Sequence, residues 1–295
     1  MELETADNSS RRSAFEAHRG RLWGVAYRML GSRADADDMV QEAYLRWHGV
    51  PSAEVRTPEA WLVTTTTRLC IDRLRQLRAE REAYIGPWLP EPLVEESPAA
   101  DAATELASDL SMAFLALLER LAPEERAAFL LHDVFEADYD EIAAALGKSE
   151  AACRQIVSRA RRRVREERPR VQVSAAARDR LVESFMRAIE LRDRDALLAI
   201  FAEDAALTAD GGGKAKAAQK VVRGGESVVR FMLGVLSKAR DQLTLQKIVV
   251  NGETGIAIRA GGQLVSVLSF VTDGRQILGV YSVLNPDKLR GVRHA

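Results

Sequence analysis

The chain has 295 residues, 47% of them hydrophobic and 29% charged, with a formal net charge of -1. That length supports two or three domains with separate cores, and that balance excludes a protein that coats nucleic acid by bulk charge. Two cysteines, Cys70 and Cys153, exclude a disulfide framework or a four-ligand zinc site and read as buried, reduced thiols of a cytosolic protein. The first residues, MELETADNSS, are acidic and polar, unlike a signal peptide. No run approaches the ~20 apolar residues that cross a bilayer. A cytoplasmic location with no membrane partner is the expectation.

Residues 13 to 82 read as helical. Gly31 breaks the first helix, and Ser32 with Asp35 offers a capping box for a second that runs to about Trp47. Met39, Val40, Ala43, Tyr44 and Trp47 line its apolar face and leave Asp37, Asp38, Gln41 and Glu42 outside. Thr57-Pro58, a cap and a first-turn proline, opens a third helix to about Arg81. It buries Trp61, Leu62, Leu69 and Leu74 and shows Arg68, Asp72, Arg73, Arg75 and Arg78. Trp47 and Trp61 read as core. The run Thr64 to Thr67 costs helix propensity, which hydroxyls held on a partner-facing surface would explain.

Residues 83 to 108 read as a linker rich in proline and acid. From Glu91 to Asp109 there are six acids and no base. Trp88, between Pro87 and Pro90, is out of place in a solvated tether and should dock, on this chain or on a partner.

Pro123 starts a helix with apolar residues at Ala127, Leu130, Leu131 and Val134. A short helix follows, capped by Asp138 with Glu141 three residues on and left through Gly147 in a left-handed conformation. Ser149 then caps a helix whose apolar face is Cys153, Ile156, Val157, Ala160 and Val164. Between Ser149 and Arg170 eight arginines stand against three acids. Short helix, glycine turn and basic amphipathic helix form a helix-turn-helix, which places the second helix in the major groove. Ser149, Glu150, Arg154 and Gln155 would reach base edges, and Arg159, Arg161, Arg162 and Arg163 would meet phosphates.

After Pro169 two helices are expected, about Ala175 to Leu191 and Arg194 to Phe201 after an Asp193 cap. The stretch AALTAD, the loop Asp210 to Lys214 (DGGGK) and a helix from Glu226 to about Ser237 follow. Four strand-like runs then turn at Asn251-Gly252, Gly261-Gly262 and Asp273-Gly274, an antiparallel meander in an α+β domain. Between Ala175 and Arg290 there is no histidine, and no spacing pairs Glu190, Asp195, Asp204 or Asp210 with Tyr281 as acid–base partners. No catalytic residue, cofactor or metal is expected. DGGGK lacks the spacing and strand-to-helix setting of a phosphate loop.

In order, these segments resemble the extracytoplasmic-function sigma factors of the sigma-70 family. DADDMVQEAYLRW (Asp35 to Trp47) is similar to the part of region 2 that grips the polymerase clamp helices, which implies that Asp37, Asp38, Gln41 and Glu42 bind core RNA polymerase. AWLVTTTTRLCIDRLRQLR (Ala60 to Arg78) resembles the part that opens and holds the minus-ten element, implying DNA contacts for Arg68, Arg75, Arg78 and the loop after Trp47. The helix-turn-helix is similar to region 4, the reader of the minus-thirty-five element. WLPEPLV (Trp88 to Val94), DGGGK and NPDKL (Asn285 to Leu289) resemble the subset with a fused SnoaL-like domain that regulates in cis, in place of a separate anti-sigma factor.

The resemblance implies two all-α domains, a region 2 three-helix unit (residues 11–82) and a region 4 helix-turn-helix (109–170), with the linker (83–108) between them and an α+β SnoaL-like cone (175–290) after them. Its regulatory contacts would be Trp88, Asp210, Gly211, Gly212, Gly213, Lys214, Asn285, Pro286, Asp287, Lys288 and Leu289, with the glycine loop against region 2 or the linker. A non-enzymatic initiation factor with core polymerase and promoter DNA as partners is the expectation. A one-component helix-turn-helix regulator whose cone senses a small molecule is the alternative.

Overall fold

The computed structural model describes residues 2–50, 55, 57–95, 110–167, 173–238 and 243–292. Most of the loop after Trp47, and Glu96, Asp101, Glu105 and Asp109 of the linker, lie outside the described residues. Two compact units result, Met1–Glu82 with Leu117–Arg168, and Ala83–Ala116 with Pro169–Ala295.

The first unit begins with α1 (Glu2–Leu30), α2 (Arg33–His48) and α3 (Pro58–Glu82), with α1 packed on both of the others. The α1–α2 corner is local chemistry. Gly31 takes a left-handed φ of 67°, and Ser32 accepts from the Asp35 N–H at 3.3 Å. The other half of the expected box is not formed, because the Asp35 carboxylate turns to Arg73 Nε at 2.8 Å and so ties α2 to α3. Trp47 is buried against Trp61, ring centroids 5.4 Å apart, as core packing requires. The threonine run departs from expectation. Thr66 and Thr67 are fully buried, and their hydroxyls find no hydrogen-bond partner among the described residues. Four consecutive residues span more than one helical turn, so some of them must face the core whatever their polarity.

The helix-turn-helix comprises α5 (Pro123–Asp133), α6 (Tyr139–Leu146) and α7 (Glu150–Glu167), preceded by a short α4 (Met112–Leu118). Its core is Ala128, Leu131, Ile142, Ala145, Cys153, Ile156 and Val157. Gly147 leaves α6 at φ 64°, and Ser149 Oγ accepts from the Ala152 N–H at 3.3 Å. Asp138 holds the cap position of α6 without a side-chain bond. Asp140 instead accepts from the N–H of Glu141 at 2.9 Å. Burial pushes the Cys70 and Cys153 thiols upward, and both are free.

The second unit sets α8 (Ala175–Glu190), α9 (Arg194–Ile200) and α10 (Gly225–Lys238) with a seven-stranded sheet. Its strands are β1 (Val94–Glu95), β2 (Phe201–Asp210), β3 (Val222–Arg223), β4 (Leu243–Val250), β5 (Glu253–Ala260), β6 (Gln263–Thr272) and β7 (Ile277–Val283), in the order β1-β4-β5-β6-β7-β2-β3. The meander β4–β7 turns where expected. AALTAD, however, is the end of the ten-residue β2, which runs parallel to β7 and makes the sheet mixed. A register shift between Phe201 and Ala206 hides its alternation in the sequence.

Both faces of the sheet are covered. Ile256, Leu268, Phe270 and Val280 pack with Val182, Phe185, Val228 and Val229 of α8 and α10. On the other face Ile248, Val250, Ala257, Val267 and Val283 pack with Leu89, Met112, Leu289 and Val292. The first half of the supposed tether is therefore part of this unit, and β1 extends the sheet along β4.

Candidate nucleic-acid interface

On α2, Asp37, Asp38 and Gln41 are exposed and Glu42 is half-buried, as helical spacing requires. Asp37 accepts from Trp23 Nε1 at 2.8 Å, and Glu42 pairs with Arg46 at 2.9 Å. The sequence reading missed Leu45, which is 58% exposed. It follows Asp38 and Gln41 at helical spacing, so the outer face of α2 is acidic with an apolar centre.

The α3 arginines differ. Arg78 is 81% exposed and, among the described residues, pairs only with Glu82 one turn on. Arg75 pairs with Asp72 at 3.1 Å and with Glu124 of α5 at 3.0 Å. Arg68 donates to the carbonyls of Ala144 at 2.5 Å and Ala145 at 3.1 Å, in the last turn of α6.

On α7, Ser149 serves as the cap, Glu150 pairs with Arg154 at 2.7 Å, and the Arg154 guanidinium lies 4.9 Å from the Tyr139 ring centroid. Arg154, Gln155, Arg159, Arg162 and Arg165 are exposed. Arg161 and Arg163 are used at home: Arg161 binds Asp133 at 2.7 Å and contacts His132 at 3.0 Å, and Arg163 binds Glu125 at 2.6 Å. These two brace α7 on α5, leaving the outward row to the other four arginines.

In the second unit the three short strings WLPEPLV, DGGGK and NPDKL meet at one side chain. Asp210 is fully buried. Its carboxylate accepts from Tyr84 Oη at 2.5 Å, the Leu89 N–H at 2.8 Å and Lys288 Nζ at 2.7 Å. Its carbonyl accepts from the N–H groups of Leu284 and Asn285 at 2.7 and 2.9 Å. Lys288 also donates to the Leu89 carbonyl and lies 3.9 Å from the Trp88 ring centroid, so the docked surface of Trp88 is within this unit. Asn285 donates to Tyr84 Oη at 2.9 Å, Lys214 pairs with Asp287, and Leu289 is buried on the sheet. Pro286 lies in the turn between Asn285 and Asp287, half-buried.

The glycines have a steric reason. A Cβ on Gly211 would lie 2.4 Å from the Ala215 carbonyl oxygen, and one on Gly212 2.3 Å from Asn285 Nδ2. One on Gly213 would meet Ile85 at 2.8 Å. The loop is glycine-rich so that the linker and the terminal turn can approach its backbone. Tyr84 and the Leu89 amide, both essential to this cluster, carried no sequence signal beyond the neighbouring Trp88. Burial and then its bond to Asp210 push the Tyr84 phenol well above the usual tyrosine range. Glu190, Asp195 and Asp204 face solvent, and among the described residues no group of acids, histidines and cysteines is arranged to hold a metal. No described helix is long and apolar enough to cross a membrane.

Residues 14–80 match Sigma-70 region 2, and residues 111–164 match Sigma-70, region 4. The ECF RNA polymerase sigma factor SigJ of Mycobacterium tuberculosis is 40% identical over 293 residues, covering 95% of this chain and 93% of SigJ. The probable ECF RNA polymerase sigma factor SigI of the same organism is 31% identical over 286 residues, 95% of each chain. A crystal structure of SigJ superposes with a TM-score of 0.75 at 39% identity, covering 95% of this chain and 98% of that one. With two sigma modules in order and this identity along nearly its whole length, the chain belongs to the extracytoplasmic-function RNA polymerase sigma factors.

Proposed function

We propose that this sigma factor joins core RNA polymerase through Asp37, Asp38, Gln41 and Glu42, with Leu45 at the centre of that face. It directs promoter-specific initiation in the cytoplasm, α3 handling the melted minus-ten element and the outward face of α7 reading the minus-thirty-five duplex. Bond-making belongs to the polymerase. The C-terminal unit modulates the event in cis, without a separate anti-sigma factor.

The capture of the linker at Asp210 carries this reading. Residues 83 to 95, which leave region 2 along the chain, and Met112 at the start of region 4 pack within the C-terminal unit. Tyr84, Leu89 and Lys288 are all bound to one buried carboxylate. The covalent path between the two promoter-binding modules therefore runs through the domain that would regulate them.

Run-off transcription from a pool of genomic fragments with purified core enzyme tests the proposal. Full chain and Asp210→Asn should both give core-dependent transcripts, at different levels. A chain cut at Arg170 is a poorer comparison, since it strips the cover from Leu89 and Met112. Core-independent binding to duplex DNA with no transcripts would replace the sigma reading with a ligand-sensing helix-turn-helix regulator. Equal transcription by the two chains would remove the cis modulation through Asp210.

A further inference from the structure

The outward arginines of α7 are not equivalent. Arg159 and Arg162 project from the helix into solvent. Arg154, nearer its start, is held on two sides: Nη2 donates to Glu150 at 2.7 Å, and the guanidinium lies 4.9 Å from the Tyr139 ring centroid. Tyr139 is the first residue of α6, half-buried, with its ring packed on the core of the helix-turn-helix. His132 of α5 packs against that ring, centroids 4.8 Å apart. His132 Nδ1 lies 3.0 Å from Arg161 Nη2. A guanidinium can only donate, so Nδ1 accepts and the ring is fixed in the tautomer that carries its hydrogen on Nε2. Arg161 is anchored in turn on Asp133 at 2.7 Å.

A chain of contacts thus runs from Asp133 through Arg161, His132 and Tyr139 to Arg154, drawing on all three helices of the motif. At its outer end Arg154 is 56% exposed and Glu150 49%, so these contacts add little to folding stability. Their effect is on the long side chain itself, whose rotamers they restrict before any DNA arrives. An arginine preset in this way offers two parallel N–H groups to one base edge, and guanine O6 and N7 are the matching pair of acceptors in the major groove. Arg154 also lies in the N-terminal part of α7, the part of a recognition helix that reaches base edges.

We propose that Arg154 reads a guanine of the minus-thirty-five element, and that Tyr139 and His132 are positioning residues that make this contact specific, acting through Arg154. This rests on the reading of α7 as the helix for that element, and adds which base it selects and which side chains outside α7 set the choice. Arg159 and Arg162, unbraced, serve affinity for any sequence. Tyr139→Leu removes the ring face while keeping an apolar side chain on the core. Tyr139→Phe keeps the face and loses only the hydroxyl.

The test uses the full chain bound to core polymerase on a promoter recovered by run-off transcription, with the minus-thirty-five element randomised and the transcribed templates sequenced. The parent should select guanine at one position, on either strand, by about tenfold. Arg154→Ala should lose that preference and keep those at the other positions. Tyr139→Leu should lower it by about threefold at that position alone, Tyr139→Phe should restore it, and His132→Ala should lower it less than Tyr139→Leu. As a second measurement, 7-deazaguanine at that position, which replaces the N7 acceptor by C–H, should weaken promoter binding by the parent about fivefold and leave Arg154→Ala unaffected. A guanine preference that survives Arg154→Ala overturns the proposal, as does equal binding of the two bases by the parent. A loss in Tyr139→Leu that is spread evenly over all positions, or absent, overturns the positioning role. If the parent transcribes with core enzyme but shows no base preference in the element, α7 is not its reader and the proposal falls while the sigma reading stands. With no core-dependent transcripts the sigma reading fails and takes the proposal with it.

Discussion

Lys288 Nζ and Asp210 Oδ2, 78 residues apart in sequence, lie 2.7 Å apart in the interior of the C-terminal unit. The lysine side chain is 12% exposed and the aspartate 0%. Two charges removed from water require each other and a full set of hydrogen bonds. They have these, since Asp210 also takes Tyr84 Oη and the Leu89 N–H. The pair closes the terminal NPDKL turn onto the glycine loop and clamps the linker between them.

Removing one partner should cost far more than removing both. Asp210→Ala leaves the Lys288 ammonium buried and two donors unsatisfied, and should destabilise the C-terminal unit by about 3–5 kcal/mol. Lys288→Met added to it should recover part of that loss. Urea denaturation of the single and double variants measures the coupling, and strictly additive losses would show that the pair does not act as a unit.

Gly212→Ala tests the steric role of the loop. At φ 57° a side chain is strained, and its Cβ would fall 2.8 Å from Tyr84 Oη as well as on Asn285. The expected outcome is release of the linker, seen as faster proteolysis near Trp88 with little change in the melting of the helical unit. Gly234→Ala, with nothing within 4 Å of its Cβ position, is the matched control.

Glu119 is the corresponding keystone of the helical unit, binding both Arg81 and the almost fully buried Arg126. Glu119→Gln leaves two clustered cations without their counter-charge and should lower stability by about 3 kcal/mol or more. Arg78→Gln, whose pair is exposed, should leave the melt within about 0.5 kcal/mol of the parent. Calorimetry of the two variants decides it.

The Tyr84 phenol is raised above its ordinary value of 10.0 by burial first and by its bond to Asp210 next. The unfolded chain therefore ionises at lower pH than the folded one. The stabilisation is complete below about pH 10 and is lost as pH rises above it. Melting temperatures of the parent should fall more steeply across that window than those of Tyr84→Phe. Parallel curves would show that Tyr84 is not the group responsible.

The α7 arginines should separate by role. Arg159→Ala or Arg162→Ala should weaken promoter binding across sequences and reduce the salt slope by about 0.9 for each phosphate no longer neutralised. Arg161→Ala, which removes the tie to Asp133 and His132, should lower the melting of the helix-turn-helix and change the slope less. Titrations at several salt concentrations with a duplex promoter distinguish the two.

Much of the local architecture was legible because its causes are local. Gly31, Ser32, Gly147 and Ser149 end and begin helices through backbone freedom and side-chain caps that act within a few residues. The outward positions of Asp37, Asp38 and Gln41 follow from helical spacing alone. Strand β2 was missed because its partner β7 lies some seventy residues further along the chain, and its alternation is interrupted by a register shift. Thr66 and Thr67 were misplaced because the packing of α3 among its neighbours overrides the polarity of two hydroxyls.

Where helices start and stop, which turns need glycine, and which three short strings stand out against their surroundings are all set within a few residues of chain. What those strings do to one another, and which arginines face solvent, depends on packing between distant segments. Arg68, Arg78, Arg161 and Arg162 are indistinguishable as residues, yet Arg68 sits on the end of α6, Arg161 sits on Asp133, and Arg78 and Arg162 face solvent. A long cationic side chain bonds to whatever acceptor packing brings within its reach, and that acceptor can come from any point in the chain.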